Sequence, residues 1–380
     1  MSNIAIYWGK IPEDTFGGID RVCNLLAKGF TDAGHKVFLI YSGGNDNIEN
    51  NLYLSKYKYI RPERGGGPES TVLLKKFFND NAISIIINQR AFDFNIIKSL
   101  RRAAGDIPII SCFHSSPGFE YFSSNLAKRI IKKLRSSNEV NKHYNELLQH
   151  SNSVVLLASS FIETFKKIYS IKQNISEKLL SIPNPLSFVD DINDSIISLK
   201  AKIILYVGRL SESPKRISKL LKMWRLISSG EGYDDWHLVI IGHGPDEQRY
   251  KDYVRNHNLQ RVSFEGKQDP RDYYKRASIF TITSDYEGFP LVLTEAMQFG
   301  CVPIAFDTFS SLRDIIDNDK NGIIIKRGNF SEYVINLKKI MNHQDKREQM
   351  AVKAIEKSQA FSLPKVISRW NLLFSQLENE

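Results

Sequence analysis

Ile279-Phe280-Thr281-Ile282-Thr283-Ser284-Asp285-Tyr286-Glu287-Gly288-Phe289-Pro290-Leu291-Val292-Leu293-Thr294-Glu295-Ala296-Met297 reads as a strand, a tight loop and a helix in immediate succession. Ile279 to Thr283 is a short apolar run with β-branched residues, the pattern of a buried strand. Gly288 frees the turn, and Pro290 suits a first helical position because it has no N–H to satisfy. Gly300, just beyond the last periodic residue, closes the helix. A strand-loop-helix unit of this kind is the repeating piece of an α/β domain with a parallel sheet.

Eight positions separate Glu287, in the loop, from Glu295, on the second helical turn. At 1.5 Å per residue Glu295 stands roughly 7 to 8 Å further along, a spacing that suits a nucleotide-sugar. Unpaired backbone N–H groups around Phe289, Pro290 and Leu291 point out of the helix N-terminus and offer a seat for phosphate oxygens. One carboxylate would accept hydrogen bonds from ribose hydroxyls, the other from a sugar beyond the diphosphate. The plainer reading makes Glu287 a helix cap and Glu295 a solvated surface residue.

Working outward, short apolar runs alternate with helical patterns along the whole chain, as in parallel α/β domains. The opening unit joins strand Ile4 to Trp8, a loop to Phe16-Gly17-Gly18, and a helix with Ile19, Val22, Leu25, Leu26 and Phe30 on one face. Gly34 ends that helix and strand Val37 to Tyr41 completes a βαβ unit. Further strands are expected at Ile83 to Asn88, Ile107 to Phe113 and Val154 to Ala158. From Pro183-Asn184-Pro185 to about Ser198, with Asp190, Asp191 and Asp194, the pattern breaks as in a linker. A second alternation runs through Ile203 to Val207, Leu238 to Ile241, Val262 to Phe264, Ile279 to Thr283 and Val302 to Phe306. The tail from about Phe330 to Leu377 reads as helical.

The 380 residues accommodate two domains of ordinary size, and 42% hydrophobic with 25% charged content marks a globular chain. No run approaches the roughly 18 apolar residues of a membrane span, and no basic stretch followed by an apolar core opens the chain. A cytoplasmic location is expected. Cys23, Cys112 and Cys301 are isolated and odd in number, a pattern of buried reduced thiols rather than disulfides. The net charge of +10 and pI near 9.2 require an anionic partner: nucleic acid, anionic lipid headgroups or a phosphorylated substrate.

Gly208-Arg209-Leu210 follows the first strand of the second half, with Lys215 six positions after Arg209. At a strand tip the two cations can clamp a diphosphate, Arg209 through its planar fork and Lys215 as a point charge. Neutralising a leaving diphosphate is the main electrostatic task in breaking a sugar–phosphate bond. A loop of solvated cations is the alternative. Gly242-His243-Gly244-Pro245 ends another strand, where glycines let backbone approach a ligand; it is not the G-x-G-x-x-G of an NAD site. Phe264-Glu265-Gly266-Lys267 would line the base, or simply turn the chain. Asp317-Asn318-Asp319, followed by Lys320-Asn321-Gly322, reads as a polar turn, and no cluster has zinc spacing, so no metal ligand is assigned.

In order, Val207-Gly208-Arg209-Leu210 with Lys215, Gly242-x-Gly244-Pro245, Phe264-x-Gly266, and Ser284-x-x-Glu287-Gly288-Phe289-Pro290 with Glu295-Ala296-Met297 closely resemble one family. It is the family 4 (group 1) retaining glycosyltransferases of the GT-B fold, among the bacterial lipopolysaccharide and polysaccharide sugar transferases. The resemblance covers nearly the whole chain: Gly17-Gly18 with Asp20-Arg21 supplies the first-domain loop, and Ile182-Pro183-Asn184-Pro185 resembles the start of the hinge.

That resemblance implies an α/β protein of two Rossmann-like domains facing across a cleft. The acceptor domain would span 1–186, a linker 187–200 and the nucleotide-sugar-binding domain 201–362, with a C-terminal helix over 363–380 returning to the first domain. It implies retaining transfer of a hexose or N-acetylhexosamine from a nucleotide-sugar, with UDP the expected nucleotide, no cofactor and no essential metal. Arg209 and Lys215 would hold the diphosphate, Glu295 the ribose and Glu287 the donor sugar. His114, in Ser111-Cys112-Phe113-His114-Ser115, would lie near sugar and acceptor; it also reads as an ordinary hydrogen-bonded histidine. Gly17, Gly18, Gly242, Gly266, Lys267, Phe289, Pro290 and Leu291 complete the expected donor-binding set. Retention in such enzymes is discussed as front-side return, the leaving phosphate helping to deprotonate the acceptor.

Leu126-Ala127-Lys128-Arg129-Ile130-Ile131-Lys132-Lys133-Leu134-Arg135 combines five cations with apolar residues at helical spacing. It resembles an interfacial helix meeting an anionic membrane, here the cytoplasmic face of the inner membrane, and equally fits a helix whose apolar stripe faces the core. Arg61 to Pro68, with three glycines, is expected as a mobile loop near the acceptor. A lipid-linked glycan or lipopolysaccharide is the expected acceptor. Competing readings are a nucleotide-sugar 2-epimerase on a similar fold and a basic nucleic-acid-binding protein. The second lacks any recognition module in the sequence, so no nucleic acid is expected.

Overall fold

The computed structural model of the chain describes residues 1–8, 18–41, 57–62, 67–93, 95–122, 126–189, 192 and 194–379. It divides into two compact units, Met1–Ser187 with Leu363–Glu380, and Phe188–Ser362. The first unit holds a parallel sheet of β1 (Asn3–Tyr7), β2 (Lys36–Ile40), β3 (Lys58–Ile60), β4 (Ile85–Asn88), β5 (Ile109–Phe113), β6 (Ser153–Leu156) and β7 (Leu179–Ser181). Its order is β3-β2-β1-β4-β5-β6-β7. The second unit holds β8 (Ala201–Val207), β9 (His237–Ile241), β10 (Val262–Gly266), β11 (Ala277–Ile282), β12 (Val302–Phe306) and β13 (Ile323–Ile325). These are also parallel, in the order β10-β9-β8-β11-β12-β13.

Parallel strands are covered by helices on both faces, which is why these segments are nearly continuous Ile, Val and Leu runs. β4, β5, β11 and β12 are buried along their whole length. In each sheet the order reverses once, between β1 and β4 and between β8 and β11. Loops at the C-terminal ends of those strand pairs diverge, leaving the crevice where sheets of this topology bind ligands.

β3, β7 and β13 lie outside the sequence expectation. Each is three residues long and sits at a sheet edge, too short to display a period of two. Ile19, expected on the buried face of its helix, is exposed, and Cys23 is buried there with Val22, Leu26 and Phe30. The stretch after Ser187 is partly folded onto the second unit. Phe188 packs on Phe299 with ring centroids 5.8 Å apart, Gln298 donates to its carbonyl at 3.1 Å, and Ile196 is buried in a short helical turn. Helix Leu363–Glu378 packs on helix Gly18–Asp32 in the first unit, with Trp370 and Phe374 5.8 and 5.3 Å from Phe30. Cys23, Cys112 and Cys301 are free and buried, and burial pushes each thiol pKa up. Among the described residues no helix is long and apolar enough to cross a membrane.

Candidate functional site

β8 and β11 are neighbours where the second sheet reverses its order, so the loops leaving their C-terminal ends flank one crevice. Four hydrogen bonds fix the loop after β11. Thr283 Oγ1 donates to the Lys215 carbonyl at 3.0 Å and the Asp285 N–H to the Pro214 carbonyl at 2.8 Å. From the other side Thr308 Oγ1 donates to Ser284 O at 2.6 Å and Ser311 Oγ to Gly288 O at 2.5 Å.

This frame brings opposite charges together. Lys215 Nζ lies 2.6 Å from Glu287 Oε1, with the two side chains 22% and 14% exposed, so the pair is mostly shielded from water and removing either partner strands the other. Asp285 is held by Arg216 Nε and by Lys219 Nζ, the latter at 2.8 Å. Burial pushes the Asp285 carboxyl up, but the hydrogen bonds from Lys219 and Arg216 outweigh it and hold its pKa below the ordinary range. Glu212 continues the network, accepting from Ser218 Oγ at 2.6 Å and from Tyr250 OH at 3.1 Å. Asp285, Arg216, Lys219 and Glu212 escaped the sequence reading. Asp285 sits two positions before Glu287, but its partners are apparent only once β8 and β11 are adjacent.

Arg209 is exposed, and its guanidinium has no side-chain partner among the described residues. Gly242 follows β9, and a Cβ there would stand 1.9 Å from the Gly208 carbonyl oxygen; one at Gly244 would stand 2.3 Å from that of Leu210. These glycines let two loops of the protein touch, a reason for their identity independent of any ligand. Leu210 N donates to His243 O at 3.0 Å, and Gly242 N to Gly266 O at 2.8 Å, tying Gly242 and Gly266 into one rim. Lys267 follows, exposed.

Helix Leu291–Gln298 begins one residue later than the sequence suggests, with Pro290 as its N-cap. Phe289 is buried against Phe361, 5.4 Å between centroids, and Leu291 is also buried. Within its first turn Leu293 N already donates to the Pro290 carbonyl at 3.0 Å, so the N–H groups of Leu291 and Val292, which precede any intrahelical acceptor, are the polar feature of that end. Glu295 is not the solvated residue of the plainer sequence reading. It is fully buried, and Tyr274 OH donates to its Oε2 at 3.0 Å. Tyr274 is itself fixed by Lys200 Nζ, which donates to its carbonyl at 2.7 Å. Nothing local to Tyr273-Tyr274 marks that role.

In the first unit Gly18 opens its helix; Gly17 and residues 63–66 of the glycine loop lie outside the described residues. Asp20 Oδ1 accepts from Trp8 Nε1 at 2.9 Å. His114 extends from β5, and burial pushes its pKa down to about 4, so the ring is neutral at pH 7. In helix Leu126–His150 the apolar residues Ile130, Ile131 and Leu134 are 52%, 49% and 76% exposed. The core-facing reading of that stripe therefore fails for these three. Burial begins further along, at Val140, Tyr144, Leu147 and Leu148.

A family model described as glycosyltransferase family 4 matches residues 16–162, and one described as glycosyl transferases group 1 matches residues 189–357. An uncharacterized glycosyltransferase of Haemophilus influenzae is 30% identical over 51% of this chain; the match spans only 54% of that relative's length. The lipopolysaccharide 1,6-galactosyltransferase of Salmonella typhimurium is 24% identical over 87% of this chain and 88% of its own. Among solved structures, Anabaena HepE in complex with UDP-glucose superposes with a TM-score of 0.73 at 14% identity, covering 98% of this chain and 99% of that one. The two matched segments fall one in each of the two doubly wound sheets, and the chain belongs to the group 1, family 4 glycosyltransferases of the GT-B fold.

Proposed function

We propose that the chain is a retaining, metal-independent hexosyltransferase that moves a hexose or N-acetylhexosamine from a UDP-sugar to a lipid-linked glycan or lipopolysaccharide. The Lys215–Glu287 pair at the switch point carries this reading. Without donor each group neutralises the other. A diphosphate brings more negative charge than one carboxylate, competes for Lys215, and frees Glu287 to accept hydrogen bonds from the sugar hydroxyls. Exposed Arg209 supplies its fork to the remaining phosphate oxygens. As the sugar–phosphate bond breaks, charge grows on the diphosphate, and the two cations stabilise the transition state more than the ground state. The ribose hydroxyls fall to Glu295, whose Oε2 accepts from Tyr274 OH. His114, just beyond β5, is assigned to the transferred sugar by the family resemblance.

A thermal-shift screen of UDP-, GDP-, ADP- and dTDP-sugars tests this. UDP-sugars should raise Tm, by about 2.7 kcal/mol of stabilisation at a hundredfold excess over Kd, and Glu295→Ala should lose the shift. Equal stabilisation of that variant would end the ribose assignment. UDP release should need an acceptor; isomerised donor without acceptor would instead identify a 2-epimerase.

The acceptor half of the proposal rests on Ile130, Ile131 and Leu134, which stand exposed within a segment carrying Lys128, Arg129, Lys132, Lys133 and Arg135. Such a helix lies in a membrane interface, here the cytoplasmic leaflet, with its apolar residues among acyl chains. The protein should co-sediment with phosphatidylglycerol vesicles but not with phosphatidylcholine, and Leu134→Glu should abolish it. Equal recovery with both lipids, or no effect of the substitution, would remove the membrane contact.

A further inference from the structure

The first sheet reverses its order between β1 and β4, and Gln89 is the first residue beyond β4. Its N–H donates to the Tyr7 carbonyl at 3.0 Å, so the sheet itself sets where the side chain begins. Gln89 is completely buried, unusual for glutamine. Its Oε1 lies 2.5 Å from Nε2 of His114, while its Nε2 has no acceptor among the described residues. A buried donor left without a partner costs about 1–3 kcal/mol, so this amide is a poor choice for stability. His114 is mounted as firmly. The preceding Phe113 packs in the core against Phe165 and Tyr144, with centroids 5.1 and 5.6 Å apart.

We propose that Gln89 is the positioning residue of His114: its carbonyl oxygen holds the imidazole in one orientation with the ring proton on Nε2, leaving Nδ1 bare to accept a hydroxyl hydrogen. A carbonyl oxygen can be met only by a ring N–H, and a neutral ring carries a single proton, so a hydrogen bond at Nε2 dictates an acceptor at Nδ1. Both residues stand on strand ends rather than on free loops, which gives the arrangement the rigidity that orientation requires. The consequence for transfer rests on the reading above that His114 lies near the sugar. There, a fixed Nδ1 acceptor would orient a hydroxyl of the donor sugar or of the acceptor. The opposite amide orientation would present an N–H to the ring and force the proton onto Nδ1, so the two arrangements differ in a measurable atom.

Proton NMR of the full chain labelled with 15N-histidine decides it, the His114 signal being assigned by its loss in His114→Gln. The expected result is a slowly exchanging proton on Nε2 at pH 7. In Gln89→Leu, which keeps the volume and removes the acceptor, its exchange should quicken at least tenfold. In Gln89→Glu, whose carboxylate still accepts, the proton should stay on Nε2. Turnover at saturating donor should fall about five- to tenfold in Gln89→Leu, the scale of one lost hydrogen bond, with KM for donor unchanged, and recover in Gln89→Glu. A proton on Nδ1 in the unaltered protein would overturn the proposal, whether or not any variant folds. So would unchanged exchange in Gln89→Leu. Full turnover in His114→Gln, with the Nε2 proton in place in the unaltered protein, would instead remove His114 from the reaction and leave the positioning contact standing.

Discussion

Lys215→Ala is expected to lower kcat at saturating UDP-sugar by about 10²- to 10³-fold, the cost of removing one preorganised donor from a developing anion. Arg209→Ala should lose a similar factor. Arg209→Lys should recover only part of it, because an ammonium cannot reproduce the planar two-point grip of a guanidinium. The Lys215 variant needs one control. Glu287 Oε1 lies 2.6 Å from the ammonium, so alanine also strands a carboxylate that is mostly shielded from water. The double variant Lys215→Ala with Glu287→Gln removes that charge. Its thermal melt should return toward the unaltered protein while its rate of UDP release stays low. A rate within tenfold of normal in Lys215→Ala would take the diphosphate away from this crevice.

Gly242→Ala should be the most destabilising single substitution in the second unit's strand tips. The new Cβ would stand 1.9 Å from the Gly208 carbonyl oxygen, at a φ of +138° that side chains rarely adopt. Two backbone segments would have to separate, breaking the rim in which Gly208 N donates to Ile241 O at 3.0 Å. A loss of about 4 kcal/mol, at the upper end of single-site effects, would lower Tm by roughly 8 to 16 °C for a unit of this size. Gly266→Ala gives the contrast. Its φ is +70° but nothing lies within 4 Å of the added carbon, so the backbone cost alone, about 1–2 kcal/mol, applies. If Gly242→Ala melted normally and lost only UDP binding, ligand approach rather than loop contact would explain the glycine.

The two halves differ in how much of each site was legible. In the second unit, strand tips carry their chemistry within a few residues of the strand: Gly208-Arg209 after β8, Glu287 after β11. A reader of local pattern meets them in order. In the first unit Gln89 is one polar residue after Ile85-Ile86-Ile87-Asn88, and nothing nearby distinguishes a positioning amide from a strand end. Its partner is 25 positions away on the next strand. Glu295 shows the opposite failure. Its spacing from Glu287 was plain, but its burial was not, because Tyr274, which bonds it, comes from the helix before β11. The basic segment at 126–135 left two readings open, since periodicity locates an apolar stripe without saying what covers it.

The sequence alone determined the α/β class, the alternation of strand and helix, and the strand tips at which charge and glycine gather. Hydrophobic period and turn chemistry are local, and short windows contain them. Only the tertiary structure decided that Lys215 meets Glu287 across 72 positions, that Asp285 belongs to Arg216 and Lys219, and that Gly242 is glycine for the sake of Gly208. Those contacts follow from strand order. β11 lies beside β8 rather than beside β10, its predecessor in the chain, and the non-local pairing that places it there leaves no periodic trace in any one segment.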